Sequence, residues 1–465
     1  MTRHQPEWQK TLLPWRGCSN HINAKPMLAD WRQIAVALYD NVVATGQADH
    51  VVSRALSQIN IADISAVLAV GKAARGMAQS AYDNGVRVAR DKALIIAPSD
   101  DHNDAHDWPL IPSAHPVPDQ NSLIAGQQAA ALCQSLNDAD HLLVLLSGGA
   151  SALMVAPHPP LTLDDKIELN ARLLASGGDI HQINAIRRLV SQIKGGRLAA
   201  MAAPAQITQF IISDVENDQL SSIGSGIMAP DPMPVSESLA LIDTLGMADL
   251  WWVADLHKQY ADGRMTPPLS PDHPLCDKID SHILASNKQL IHAGVIPDIL
   301  SSLFAGNDQH SKAQAPQIIA YPRLSGEASV MAECLAEATI SAVNQAGKTV
   351  IGITGGETVV TLPHDHGLGG RSQELALAFA LAFKTAMQGS DMPWLILAAG
   401  TDGRDGPTDA AGAILDSQMP LDIASAKQAL LRHDVWNYLD QSGGLFRPGA
   451  SGTNLADMVV IIAGS

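Results

Sequence analysis

Cysteine is scarce and unpaired in this chain: Cys18, Cys133, Cys276 and Cys334 lie far apart among 465 residues, with no C-x-x-C. That spacing excludes a disulfide framework and leaves reduced thiols, with Cys133 and Cys334 falling in helical patterns as small apolar residues. Positive charge is also short, with 30 Lys and Arg against 47 Asp and Glu, a net charge of −17 and a pI near 5.3. A nucleic acid or an anionic membrane needs a positive face that this balance disfavours, so neither is expected as a partner. An anionic small substrate stays open, because a few converging cations can dominate one cleft. No apolar run reaches transmembrane length without interruption, and Met1-Thr2-Arg3-His4-Gln5-Pro6 has no signal-type apolar region. A cytoplasmic location is the expectation.

Two nucleotide signatures are missing as well. A Walker A loop at Lys72 fails because Ala66 takes the place of the first glycine and Ala73 that of the hydroxyl residue. Gly224-Ser225-Gly226-Ile227-Met228-Ala229 matches a loose dinucleotide fingerprint. No strand abuts it, however, and Pro230-Asp231-Pro232 blocks the helix that should receive a pyrophosphate.

What the chain does have is a strong alternation of apolar strands and helices, with 46% hydrophobic residues to build a large core. Leu142–Leu146, five aliphatic residues in a row, read as a strand buried on both faces, and Ser147-Gly148-Gly149-Ala150-Ser151 ends it abruptly. Glycines and hydroxyls at the carboxyl end of such a strand let backbone amides approach phosphate or carboxylate oxygens. Strands at 66–70, 93–97 and 207–212, with helices between them, give the rhythm of a doubly wound parallel sheet. Prolines concentrate between 230 and 274, which suggests a boundary there. A second alternation follows, opening with a strand at 282–285. Strands at 349–354 and 358–362 are spaced like a hairpin, which predicts a mixed sheet. The expected fold is therefore α/β. A 1–29 N-terminal arm precedes a Rossmann-like parallel-sheet domain over 30–270, and a smaller mixed-sheet α/β domain covers 271–465.

Polar turns follow these strands. Lys72 stands just past the 66–70 strand, where a cation opposes the dipole of the next helix and is a good anion ligand. Ser213-Asp214-Val215-Glu216-Asn217-Asp218 places carboxylates after a buried strand, a position suited to Mg²⁺ or to a general base. Arg371, at the mouth of an apolar helix, offers a planar fork for carboxylate or phosphate, although it could instead pair with Glu374. Thr401–Asp409 is the densest polar turn, and its aspartates do not follow calcium-loop spacing. His364-Asp365-His366 reads as a polar loop rather than a metal site.

Taken in order, VGKAA at 70–74, HPVPD at 115–119, LSGGASAL at 146–153, IKGGRLAA at 193–200, SDV at 213–215, GGET at 355–358, GLGGRSQE at 367–374, AGTDGRDGPTDAAGA at 399–413 and SGTN at 451–454 resemble the type II glycerate 2-kinase family. The C-terminal part of that family is called the MOFRL domain, and its members have often been labelled hydroxypyruvate reductases. The resemblance covers roughly residues 30–460. It implies ATP-dependent phosphorylation of D-glycerate at the 2-hydroxyl, with Mg²⁺, in a cleft between two α/β domains. It also implies a role in serine, glyoxylate or tartrate-type metabolism. By motif, Lys72, Arg371, Asp402 and Asp214 are the expected catalytic residues, with Asp214 and Asp402 sharing the metal and proton-accepting roles. Ser147, Gly148, Gly149, Ser151, Lys194 and Glu357 are expected to bind substrate or phosphate. The chain departs from the family in having Ala150 where a third glycine is usual, Glu216-Asn217 where Pro-Gly is usual, and Ser372 where Asn is common. An NAD(P)H-dependent hydroxypyruvate reductase and a catalytically silent sugar-acid-binding regulator are the alternative readings. A homo-oligomer is compatible with the sequence.

Overall fold

The computed structural model describes residues 28–99, 107–292 and 316–464, so nearly all of the expected arm lies outside the described residues. Two six-stranded sheets organise the chain. The first contains β1 (Ala66–Val70), β2 (Ala93–Pro98), β3 (Leu110–Ser113), β4 (His141–Ser147), β5 (Gln206–Ser213) and β6 (Ile279–Ser286), in the order β3-β2-β1-β4-β5-β6. Every pairing is parallel. β1 is buried along its whole length and β4 along all but its first residue, His141, as a continuous aliphatic run requires when helices cover both faces. The strand order reverses between β1 and β4, the place where open α/β sheets leave a crevice beyond the carboxyl ends of their strands.

Several of the helices begin at a short polar side chain that satisfies free amides. α1 is Leu28–Thr45, α2 Ala48–Leu56 and α3 Ala74–Asp83. α4 (Gln120–Gln134) starts at Asp119 and α6 (Leu163–Ala175) at Thr162, each closed by a reciprocal capping box. α5 is a single turn, Ala150–Leu153. α6, α7 (Ile180–Leu189), α9 (Val235–Thr244) and α10 (Val253–Ala261) share a core of Leu169, Leu173, Ile186, Ile242, Trp252 and Leu256. α8 is Arg197–Ala202. The proline-rich stretch read as a boundary thus contains α9 and α10, which complete this helical cap.

The second sheet runs β11-β10-β9-β12-β8-β7. Its strands are β7 (Gln317–Ala320), β8 (Val350–Gly356), β9 (Trp394–Gly400), β10 (Gly412–Asp416), β11 (Leu445–Phe446) and β12 (Asp457–Ala463). β12 lies antiparallel between β8 and β9, and β7 is parallel to β8, so the sheet is mixed as expected.

Two sequence expectations need correction. The strand near 282–285 does not open the second sheet; it is β6, the edge of the first, paired with β5. Nor do 349–354 and 358–362 form a hairpin. β7 and β12 already occupy both edges of β8, and beyond Gly356 the chain makes only an isolated bridge from Val359 to Glu327.

The two sheets are tied together by α1, which packs on β9 and β12. Tyr39 donates its hydroxyl to the Gly400 carbonyl at 2.9 Å, and Arg32 reaches Asp416 at 2.6 Å. Asn287, just past β6, donates to the Leu455 and Asp457 carbonyls at 2.7 and 3.0 Å. These contacts bring the carboxyl edge of the first sheet against the corresponding edge of the second. No helix among the described residues is long and apolar enough to cross a membrane.

Candidate active site

Because β1, β4 and β5 are parallel neighbours, their carboxyl ends place Lys72, the Ser147–Ser151 turn and Asp214 on one crest. The turns interlock. The Lys72 amide donates to the Gly148 carbonyl at 2.8 Å, and the Ala73 amide donates to Ser147 Oγ at 2.9 Å. Ser147 is wholly buried, so its hydroxyl holds two strand ends together and is not presented to a ligand. Gly71, at φ +130°, is required here, since a Cβ on it would lie 2.2 Å from Ser147 Oγ. A Cβ on Gly148 would lie 1.9 Å from Asp214 Oδ2, so only glycine lets that carboxylate lie against the turn. A Cβ on Gly149 would meet the His115 ring and the Lys72 stem at 3.2 Å.

The second sheet faces this crest with its own polar edge. β8 and β9 end at Gly356 and Gly400, and Asp457, the first residue of β12, is paired with both of them. Glu357 and Asp402 follow those two strand ends. Arg371 opens the helix Arg371–Ala386 and grips Asp457 with two bonds, Nε to Oδ2 at 2.7 Å and Nη2 to Oδ1 at 3.1 Å. Its remaining nitrogen, Nη1, pairs with Glu357. Glu374, the alternative partner, instead accepts from His433 Nδ1 at 2.8 Å. Asp405 serves the same helix from a distant loop, accepting the Ser372 and Gln373 amides at 3.2 and 2.8 Å.

Two side-chain contacts within this group span the sheets. Lys72 Nζ lies 3.2 Å from Asp402 Oδ2, and Asn454 Nδ2 donates to Asp214 Oδ2 at 3.0 Å. Lys72, Asp214, Asp402, Glu357 and Arg371 are therefore brought together.

Carboxylates outnumber cations in this group. Burial and the nearby Glu357 charge push the Asp214 carboxyl up to about 6, with Lys72 opposing and Asp402 adding to the shift. Burial also raises Asp457 to about 6, against the pull of Arg371 and with Glu357 and Asp402 reinforcing it. Asp405 rises to about 7, through burial first and then Asp457. For Arg371, burial works against the charged form, but Asp457, Glu357 and Asp405 outweigh it and hold the guanidinium cationic.

Lys194 is placed differently from the rest. It is fully buried, and its Nζ donates to the Ser151 carbonyl at 2.9 Å and to the Ser151 hydroxyl. It acts on the turn from behind. The loop carrying it is clipped to the Gly224–Gly226 segment, with the Gly195 amide on the Ser225 carbonyl at 3.2 Å and the Gly196 amide on the Gly226 carbonyl at 2.7 Å. The fingerprint-like glycines thus brace a loop in place of seating a dinucleotide.

Sequence reasoning missed Asp457, Asn454 and Asp405. Asn454 ends the SGTN motif and Asp405 lies in the dense Thr401–Asp409 turn, so both carried a signal that was given no role. Asp457 had none beyond standing one residue before the apolar run of β12.

Comparison with known proteins identifies the family. Residues 34–253 match a family described as a domain of unknown function (DUF4147), and residues 350–457 match the MOFRL family. The chain is 30% identical over 435 residues to the D-glycerate 2-kinase of Thermotoga maritima, covering 92% of this chain and 97% of the relative. It is 31% identical over 508 residues to the human glycerate kinase, covering 96% and 95%. The crystal structure of the Thermotoga maritima glycerate kinase superposes with a TM-score of 0.75 at 30% identity, over 93% of this chain and 99% of that one. With 30% identity to a D-glycerate 2-kinase over 92% of its length, the chain belongs to the glycerate 2-kinase family.

Proposed function

We propose that the protein transfers a phosphoryl group from ATP to the 2-hydroxyl of D-glycerate, giving 2-phosphoglycerate. The observation that carries this reading is the meeting of Lys72, Arg371 and four carboxylates, from both sheets, around the glycine turn after β4. Phosphoryl transfer needs alignment and neutralisation of moving charge more than it needs a nucleophilic side chain.

Each cation of this site is already paired with a carboxylate: Lys72 with Asp402, and Arg371 with Asp457 and Glu357. Substrate anions can exchange into those pairs. Lys72 turns to the transferring phosphoryl, and the free edge of Arg371 turns from Glu357 to the glycerate carboxylate. Asp457 keeps its two-bond hold and fixes the guanidinium plane. Asp214 hydrogen-bonds to a neutral amide, and its raised pKa makes it basic enough near neutrality to take the 2-hydroxyl proton.

The donor set suits Mg²⁺, being all oxygen and in excess over the cations. The described residues form no ready cage of three ligating side chains, which matches an ion that keeps waters and binds through one or two carboxylates and substrate phosphates. Asp402 and Glu357 would hold it, and when bound it supplies charge neutralisation for the phosphates. Gly148 and Gly149 leave room beside Asp214 and Lys72, and Ser151 lines the far end of the turn. The first βα turn holds Gly71-Lys72-Ala73 in place of a glycine fingerprint, which counts against the alternative of a nicotinamide-dependent reductase.

The test is incubation of the full chain with MgATP and D-glycerate, with the product read by phosphorus NMR. The expected product is the 2-phosphate. A 3-phosphate would overturn the regiochemistry, and NADH oxidation by hydroxypyruvate without ADP formation would overturn the kinase reading.

A further inference from the structure

On the other side of the glycine turn lies a second polar group that the mechanism above does not use. Lys194 holds Ser151, whose hydroxyl lies 3.0 Å from Ser225 Oγ; Ser225 in turn lies 3.5 Å from Asn184 Oδ1. Arg187 closes the chain, with Nη1 at 3.5 Å from the same Asn184 oxygen and Nε at 3.1 Å from Asn170 Oδ1. Lys166, one turn before Asn170 on α6, is 5% exposed, and its ammonium makes no hydrogen bond or ion pair among the described residues.

Every partner of Lys194 and Arg187 here is neutral: a carbonyl, a hydroxyl or an amide oxygen. The nearby carboxylate, Asp231, is taken by Arg188 at 2.8 Å. Burial and then the Arg187 charge lower Lys166 to about 8, and Lys194 is pushed down by burial and by Lys166, Arg187 and Arg188. Buried cations without counter-charge are costly, and an arriving anion relieves that cost. Ser151, Asn170 and Arg187 are half-buried, so the group reaches solvent on the side of the turn.

Resting on the kinase reading, we propose that Lys166, Arg187 and the Lys194-held Ser151 form the pocket that takes the phosphate chain of the nucleotide. A phosphate chain fits better than the hydroxy acid, because it brings several charges to several uncompensated cations, whereas glycerate brings one and is met by Arg371. The chain would then run along the turn from Ser151 to Gly148, ending with its terminal phosphate beside Lys72 and Asp214.

The test is titration calorimetry and thermal unfolding of wild type, Lys166→Met and Arg187→Gln, with inorganic pyrophosphate, ADP and D-glycerate as separate probes. Methionine fills the lysine's space without its charge. Wild type is expected to bind pyrophosphate and ADP, and both variants to bind them about tenfold or more weakly, with D-glycerate affinity unchanged. Ligand-free Lys166→Met should unfold no lower than wild type, since an uncompensated buried charge has gone; a residue held there for stability alone would lower it. Absent pyrophosphate binding in wild type, unchanged ADP affinity in both variants, or loss of D-glycerate binding instead would overturn the assignment. A wild type that binds pyrophosphate and ADP here but leaves D-glycerate unphosphorylated would remove the kinase reading and leave the pocket standing.

Discussion

The two ends of one short turn face opposite charge. At Gly148 the chain lies against Asp214, and the surrounding group holds more carboxylates than cations, each cation already bonded to an acid. At Ser151, three residues on, it lies against Lys194, and Lys194 and Arg187 meet only neutral oxygens. A fold under selection for stability alone gains nothing from keeping these groups apart, because moving the surplus acids next to the surplus bases would relieve both. The separation makes sense for a ligand pair with the inverse pattern: a phosphate chain for the basic end, and a divalent cation with a proton-donating hydroxyl for the acidic end.

The sharpest way to break that contrast is to remove charge at the acidic end. Lys72→Met and Asp214→Asn should each lower kcat by about 10²–10⁴, while KM for ATP stays within a few-fold. A loss that fell on KM for ATP, with kcat preserved, would merge the two ends into one binding surface. Circular dichroism should show the fold intact in both variants.

A smaller effect is expected on stability. Asp214 and Asp457 have native values of about 6 and Asp405 of about 7, all above the usual carboxylate value. The native state therefore binds more protons than the unfolded state between about pH 4 and 7, and stability falls as pH rises through that window. Without metal, Tm should be lower at pH 8 than at pH 5 by a few degrees, and Mg²⁺ should narrow the gap. The gap should shrink in Asp214→Asn. A wild-type Tm that rose over the same range would contradict the acidic surplus.

Much of this was legible in the chain because buried parallel strands announce themselves. Runs such as Leu142–Leu146 need no partner to be recognised, and the polar turns after β1 and β5 supplied Lys72 and Asp214, while Arg371 and Asp402 stood out at a helix mouth and in a dense polar turn. What was hidden depends on pairings distant in sequence. Asp457 matters because β12 inserts antiparallel between β8 and β9, bringing its first residue level with Gly356 and Gly400, and no local pattern records that register. The β-branched run at Thr358–Leu362 looked like a strand, yet the positions beside β8 were already filled by β7 and β12. Strand β6 was assigned to the wrong sheet for a related reason, since α9 and α10 separate it in the chain from its partner β5. The basic group was hidden because Lys166 and Arg187, on α6 and α7, look like ordinary solvated charges until the cap folds over the turn.

The contrast between the two ends is tested most directly by anomalous diffraction from crystals grown with ADP, Mn²⁺ and D-glycerate. The expected map has the manganese peak beside Asp402 and Glu357, the glycerate hydroxyl at Asp214, and the nucleotide phosphates reaching back past Ser151 toward Lys166 and Arg187. Phosphates lying wholly on the Arg371 side, or a metal bound away from the Asp402 and Glu357 carboxylates, would contradict it.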